Sequence, residues 1–303
     1  MGDAPRQPTE PERVGAGTES APAEERPEPY LVAGIVAIGG LVLTLYAPVL
    51  VWMVAAWHTD VYYGHAFFIP IIVAFLVWAK RERLAGIPLQ GQASGCALVV
   101  GGLLMHATGT WVDVHFVSAL SLVAVIGGLL LWLWGRTAAG ELLFPVAFLL
   151  FMVPLGRMLA DAFSNPLQRN ATVGAVALLN ALGIPTQMDG PSIHVPEYTF
   201  VVGAPCSGLK SIIAMTALAA LLAYLFQAPL WKRLAVFAAA APVAVMANMV
   251  RITIVVLVGK CFGEEAAEGL FHGASGVIVF IVGLIGLIGI GRLLGCRDIR
   301  DVF

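Results

Sequence analysis

The chain has 303 residues, 59% of them apolar and only 12% charged, with a mean hydropathy of +0.88. A soluble domain averages roughly 45–50% apolar and about 25% charged, so a water-soluble fold of this length could not hide so much apolar surface, whereas lipid can solvate it. The formal net charge of −2 offers no field for nucleic acid, and four dispersed cysteines without a CxxC pair form neither a disulfide framework nor a zinc pattern.

Residues 1–29 are rich in Pro, Glu, Ala and Gly and almost devoid of large apolar side chains. Such a stretch cannot offset its ordering entropy and is expected to be a disordered cytoplasmic tail, ahead of one transmembrane domain over 30–303. It lacks the basic–apolar–AxA layout of a cleavable signal, so the first span is expected to stay in the mature protein.

A span needs about 20 apolar residues to cross about 30 Å of hydrocarbon. Candidates fall at Leu31–Met53, Ala66–Ala79, Cys96–Thr110, Phe116–Trp134, Leu142–Leu155, Leu209–Phe226, Leu234–Val258 and Val277–Leu294. Lys80, Arg81 and Arg83 follow the second, Arg136 the fourth, Lys232 and Arg233 the sixth, and Arg292, Arg297 and Arg300 the eighth. With both termini in the cytoplasm, these basic residues satisfy the positive-inside rule; Arg157, Arg169 and Lys260 dissent. The expected fold is an all-α polytopic protein of the cell membrane with about eight transmembrane helices.

One external segment, 157–205, is longer than the rest. Its first half is semi-apolar and suits a helix lying in the interface, until Gly183 and Pro185 break it. From Gln187 to Val202 a DGPS turn signal stands between β-leaning residues, which predicts a small extracytoplasmic β-hairpin before the sixth span.

Directly after it comes Gly203-Ala-Pro-Cys206-Ser-Gly-Leu-Lys210. A cysteine at a helix N-terminus meets the positive end of the dipole, and Lys210 one turn on also favours thiolate. The free N–H groups there can receive an oxyanion. A free cysteine is by default a buried small residue, and Cys96, Cys261 and Cys296 keep that reading. The seventh span holds Asn248-Met-Val-Arg251. An intramembrane arginine costs at least ~2.5 kcal/mol and usually faces the bundle interior for a purpose, although a structural arginine bonded to backbone carbonyls is the alternative. Asn248, three residues earlier, shares its face. Arg251 lies about seven residues, or about 10 Å, inside the external end. Leu270-Phe-His272-Gly then places an imidazole at the level of Cys206, with Glu268 one turn before it. A thiol, a guanidinium and an imidazole thus converge on one face.

These blocks in this order resemble the exosortase/archaeosortase family. Trp57-His-Thr-Asp60, Tyr63-Gly-His65-Ala-Phe-Phe-Ile-Pro70, Val77-Trp78 with Lys80-Arg81, Phe144-Pro145, Phe151-Met-Val-Pro154 and Gly183-Ile-Pro185 extend the likeness over roughly 45–290. Tyr63-Gly64-His65 stands where a Ser-His-Gly type sequence is common in the family, and His65 takes no assigned role. The resemblance implies a cysteine transpeptidase or protease in which Cys206 is the nucleophile and Arg251 and His272 complete the catalytic set. Asn248, Ser207 and Lys210 support it, and neither cofactor nor metal is called for. It further implies membrane-anchored protein substrates that end in a Pro-Glu-Pro-like motif, one spanning helix and a basic cluster. The acyl group would pass to an acceptor such as a lipid or glycan.

Three rival classes are weaker. A transporter or a polysaccharide-assembly protein would use Arg251 to bind an anion, but leaves Cys206 and His272 without a purpose, and no internal repeat is found. A glutamate-dependent prenyl-protein protease would need an arginine where Gly269 stands after Glu264-Glu265, and no HExxH motif is present. The topology is checked with reporter fusions. Those placed after Arg83, Arg136 or Arg233 should read cytoplasmic and one between Asp189 and Glu197 external. A cytoplasmic reading for the last removes the basis of the site.

Overall fold

The computed structural model describes Gly2 and residues 29–155, 157–203, 207–268 and 270–296; the side chains at 29, 31, 32, 157, 158, 264, 268 and 270–275 lie outside the described set. Apart from Gly2 and Pro29, the tail expected to be disordered therefore lies outside the described residues. The chain divides into two units, 1–45 and 46–303. The first holds the opening of helix α1 (Pro29–Thr59), and the second holds the rest of α1 and every later element.

Helices α2 (Phe68–Ala79), α3 (Arg81–Ala85), α4 (Ala93–Trp111) and α5 (His115–Phe148) lead through a 3₁₀ turn, Leu149–Met152, to α6 (Arg157–Ala181). Strands β1 (Gln187–Asp189), β2 (Ser192–His194) and β3 (Thr199–Val201) precede α7 (Leu209–Leu225), α8 (Leu230–Phe262), α9 (Glu264–Glu268) and α10 (Leu270–Leu293). Among the described residues five helices are long and apolar enough to cross a membrane: Ala33–Thr59, Ala93–Trp111, His115–Met152, Leu230–Phe262 and Gly276–Leu293. Phe68–Ala79 and Leu209–Leu225 are apolar but shorter. Large apolar side chains stand exposed along α2 (Phe68, Ile71, Phe75, Trp78) and α10 (Val277, Ile278, Ile281, Val282, Ile285). Water would not tolerate such contiguous patches, and hydrocarbon solvates them; the chain is a membrane protein.

The fourth and fifth expected spans share α5. Gly135, at φ 84° and ψ −174°, interrupts its helical backbone, and a side chain there would run into the Gln90 carbonyl. Thr137 to Glu141 remain helical rather than forming a loop, so the two stretches meet at a kink. Helix α4 packs along α5 through a seam of Gly95, Val99, Gly102, His106 and Gly109, all buried. Their spacing of four and three residues keeps one face toward the partner. A Cβ at Gly95 would land on the Trp132 backbone, and one at Gly128 would sit 2.8 Å from the Val99 nitrogen. Small residues let the helix backbones touch, the packing available where lipid supplies no hydrophobic drive. His106 Nδ1 and Ser118 Oγ, 2.5 Å apart, satisfy each other inside this seam.

The expected hairpin gains a third strand. β1 and β2 pair antiparallel across Gly190-Pro191 with Asp189 opposite Ser192, and Gly190 takes the positive φ (58°) required at the first central position of a type II′ turn. β3 then pairs antiparallel with β2. The sheet covers a core shared by α6 (Ala171, Ala175, Leu179) and the C-terminal half of α8 (Ile252, Val255, Val256), with Ile193, Phe200 and Val202 facing them. Helix α6 ends at Gly183 (φ 79°), where the Ile184 N–H donates to the Leu179 carbonyl at 3.0 Å and closes a Schellman-type cap. Tyr198 donates its hydroxyl to the Val256 carbonyl (2.7 Å), and Lys260 pairs with Glu197 at 2.8 Å. Lys260, a dissenter from the charge pattern, thus has a local partner in the sheet.

At the opposite end of α7, Lys80 bonds Glu141 at 2.6 Å with only 7% of the Lys80 side chain exposed. It also stands over the Tyr224 ring, which stacks on Phe144 with centroids 3.9 Å apart. This knot ties α2, α5 and α7. The α4–α5 seam makes a direct prediction. Gly95→Val should lower the melting temperature in detergent by the equivalent of about 1–3 kcal/mol, the usual cost of overpacking. Gly101→Val, on a face open to lipid, should leave it close to wild type.

Candidate functional site

Arg251 sits on the protein-facing side of α8, 7% exposed, and Asn248 one turn earlier is 1% exposed. The opposite face carries Met246, Val250 and Ile254, all exposed, so the polar pair is turned inward by the same rotation that presents apolar side chains to lipid. Against Asn248 lies the turn that starts α7. Gly208 occupies φ 91°, and a Cβ there would come within 3.0 Å of Asn248 Nδ2. The position therefore needs glycine both for its backbone and for its clearance. Ser207 is buried, and its Oγ accepts a long bond from the Leu209 N–H at 3.4 Å. Helix α7 begins at Leu209, and Cys206 lies outside the described residues. His272 falls inside α10, one turn before Gly276; its side chain lies outside the described set.

What the structure brings together is a cavity of about 500 Å³ lined by residues from four parts of the chain. Lys210 and Ser211 come from α7, Arg251 from α8, Gly276 and Phe280 from α10, and Gly64 and His65 from the loop before α2. The Tyr63-Gly64-His65 block of this loop was visible in the sequence, but its meeting with Lys210 and Arg251 was not. Its anchors explain it: the Trp57 indole donates to the Met152 carbonyl (2.8 Å), the Leu155 N–H donates to the Tyr63 hydroxyl (2.8 Å), and the Tyr62 and Ser164 hydroxyls meet at 3.1 Å. These bonds hold the 60–67 loop over the start of α6 and carry His65 into the cavity wall. The dense aromatic run Trp57, Tyr62, Tyr63 was the available signal.

His194, the other histidine in this half of the chain, is exposed on β2 and bonded to Thr199 at 2.9 Å. It lines a different hollow, with Asn180, Pro185 and Thr186. Among the described residues no three His, Cys, Asp or Glu side chains gather as a metal-ligand set. Cys261 is exposed at the end of α8, Cys96 is half-buried and Cys296 is buried, all as free thiols.

Burial lowers the His65 pKa to about 4, the positive charge of Lys210 acts in the same direction, and the nearby Tyr62 carbonyl opposes them without reaching hydrogen-bond geometry. The ring is therefore neutral near pH 7. Burial likewise raises the neighbouring Tyr63 phenol to about 12, so it stays protonated.

A family model for transmembrane exosortases matches residues 57–289. No curated protein and no solved structure matches the chain.

The lowered pKa fixes the sign of a pH effect. Between pH 6.5 and about 4 the unfolded chain binds a proton at residue 65 that the folded chain refuses, so stability should fall as pH drops through that window. Glu197, its carboxyl held down by the Lys260 bond, works the same way only below pH 4.5. The melting temperature in detergent should decline from pH 7 to pH 5, and His65→Gln should flatten that decline. An unchanged slope would mean the imidazole is solvated.

Proposed function

The chain belongs to the transmembrane exosortase family, and from that premise we propose that it is a cysteine transpeptidase that cleaves C-terminal sorting signals of exported proteins. The observation that supports this reading most is the cavity itself: Lys210, Arg251 and, from α10, Gly276, Val277 and Phe280, each close in sequence to one motif block, border a single space. In this reading both termini are cytoplasmic and the cavity, at the sheet end of α7 and α8, is extracytoplasmic.

The substrate's spanning helix lies beside the bundle and presents its motif to the cavity. The Cys206 thiolate attacks the scissile carbonyl carbon, a C–S bond forms, and the carbonyl oxygen becomes an oxyanion. Arg251, supported by Asn248, stabilises that charge in a low-dielectric setting where a guanidinium counts for more than in water. His272 protonates the leaving amine as the C–N bond breaks, leaving a thioester. It then takes the proton of the acceptor, whose attack breaks the C–S bond and returns the thiolate. Lys210, four residues after Cys206, favours the thiolate form, and the buried Ser207 shapes the turn that carries it. The acceptor is a nucleophile such as a lipid or glycan hydroxyl.

The test uses a reporter ending in a Pro-Glu-Pro motif, an apolar helix and a basic tail, co-expressed in membranes. Cys206→Ala should abolish its cleavage. Arg251→Lys should lose on the order of 10²-fold in initial rate, since an ammonium cannot copy the rigid guanidinium fork. His272→Ala should flatten the pH–rate profile near neutrality. Cys206 should also react with an impermeant alkylating reagent from outside. That measurement belongs in a Cys261→Ser background, because Cys261 is exposed at the sheet end of α8. Wild-type cleavage by Cys206→Ala would end this reading.

A further inference from the structure

The imidazole of His65 poses a problem that the proposed mechanism leaves open. Neither ring nitrogen has a hydrogen-bond partner among the described residues, and both are shielded from solvent. A neutral imidazole carries one N–H donor and one acceptor nitrogen. Leaving a buried polar group unpaired costs roughly 1–3 kcal/mol, and an unpaired group kept in a folded protein calls for a reason. The loop that carries it is not slack, being tied down through Trp57, Tyr62 and Tyr63.

The rest of the cavity wall indicates what the ring is for. Lys210 and Arg251 are donors only, and Met215, Val277, Val279 and Phe280 are apolar. Among the described residues, the side-chain acceptors on this wall are His65 and the Ser211 hydroxyl. A peptide segment brings both carbonyls and N–H groups. The two cations suit its carbonyls, and its N–H groups need acceptors, which His65 and the Ser211 hydroxyl supply among the described residues. A neutral histidine offers such an acceptor beside two positive charges, where a carboxylate would instead form an ion pair with them and close the cavity.

We propose that His65 is a substrate-positioning residue, its imidazole hydrogen-bonding the main chain of the peptide drawn into the cavity beside Arg251 and Lys210. This rests on the reading of the chain as a transpeptidase, and it adds a recognition role for the loop before α2. His65 holds the peptide; it does not carry the proton of the reaction.

The experiment measures capture separately from cleavage. The full chain carrying Cys206→Ala is placed in lipid nanodiscs, and binding of the fluorescently labelled Pro-Glu-Pro reporter is followed by anisotropy. Adding His65→Phe, which keeps a ring but loses both hydrogen-bonding atoms, should weaken capture about tenfold, the effect of losing one to two neutral hydrogen bonds. Adding His65→Gln, which keeps a donor and an acceptor, should stay within about threefold of the parent. His65→Leu replaces the Phe variant if the latter does not fold. In the otherwise wild-type chain His65→Phe should raise KM with little change in kcat, the signature of lost uniform binding. Equal capture by the Phe variant and its parent overturns the proposal. So does a Gln variant as weak as the Phe variant, or a loss confined to kcat, which would make His65 a proton carrier. Cleavage by the Cys206→Ala chain would instead overturn the transpeptidase reading, and the capture result would stand apart from it.

Discussion

A guanidinium in the middle of an apolar helix cannot face lipid without a cost of several kcal/mol, and α8 is built around that constraint. Arg251 and Asn248 share the inward face with Ala240, Ala244, Ile252 and Val255, all buried. That choice of rotation decides what packs where. Ala240 and Ala244 meet Met215 and Ala219 of α7 and Leu287 of α10 in one small core. Ile252, Val255 and Val256 meet α6 and the sheet in another. Arg251 falls between these two cores, where the helices part and the cavity opens.

The two ends of α7 handle charge in opposite ways. Around Lys80 the cation is matched by Glu141 and covered by the Tyr224 ring, so the site is closed and structural. Around Lys210 and Arg251 the described residues of the cavity wall include no carboxylate, and the histidine that joins them is neutral. A matched ion pair in low dielectric holds helices in register but is inert toward a ligand. Here the described wall combines the cations Lys210 and Arg251 with the neutral His65 and the Ser211 hydroxyl, without a matching carboxylate among the described residues.

The sheet and α6 contribute rigidity rather than chemistry. Tyr198 reaches the Val256 carbonyl, its ring fills the space left by Gly259, and Gln168 bonds the Val202 carbonyl. The strand leading into the α7 turn is thereby fixed against α6 and α8, so that Gly208 can press on Asn248. Sites held by such supporting bonds keep their geometry to within the tolerance that catalysis needs.

Much of this was readable from the chain alone, because it depends on residues close together in sequence. Apolar runs identify helices that lipid must solvate, the DGPS signal identifies the β1–β2 turn, and a three-residue spacing puts Asn248 and Arg251 on one face. The motif blocks around Cys206, Arg251 and His272 identify the family. Tertiary structure decided what depends on distant partners. An apolar run does not say whether it ends in a loop or a kink, and Gly135 is explained by its contact with the Gln90 carbonyl. The positive charge of Lys260 contradicts the topology rule until Glu197 is seen beside it. His65 stands 145 residues before Lys210 and 186 before Arg251 in the chain, and only the bonds from Trp57, Tyr62 and Tyr63 bring it to their cavity. Periodicity reports which face of an element turns inward; which other element fills the space opposite is settled by packing.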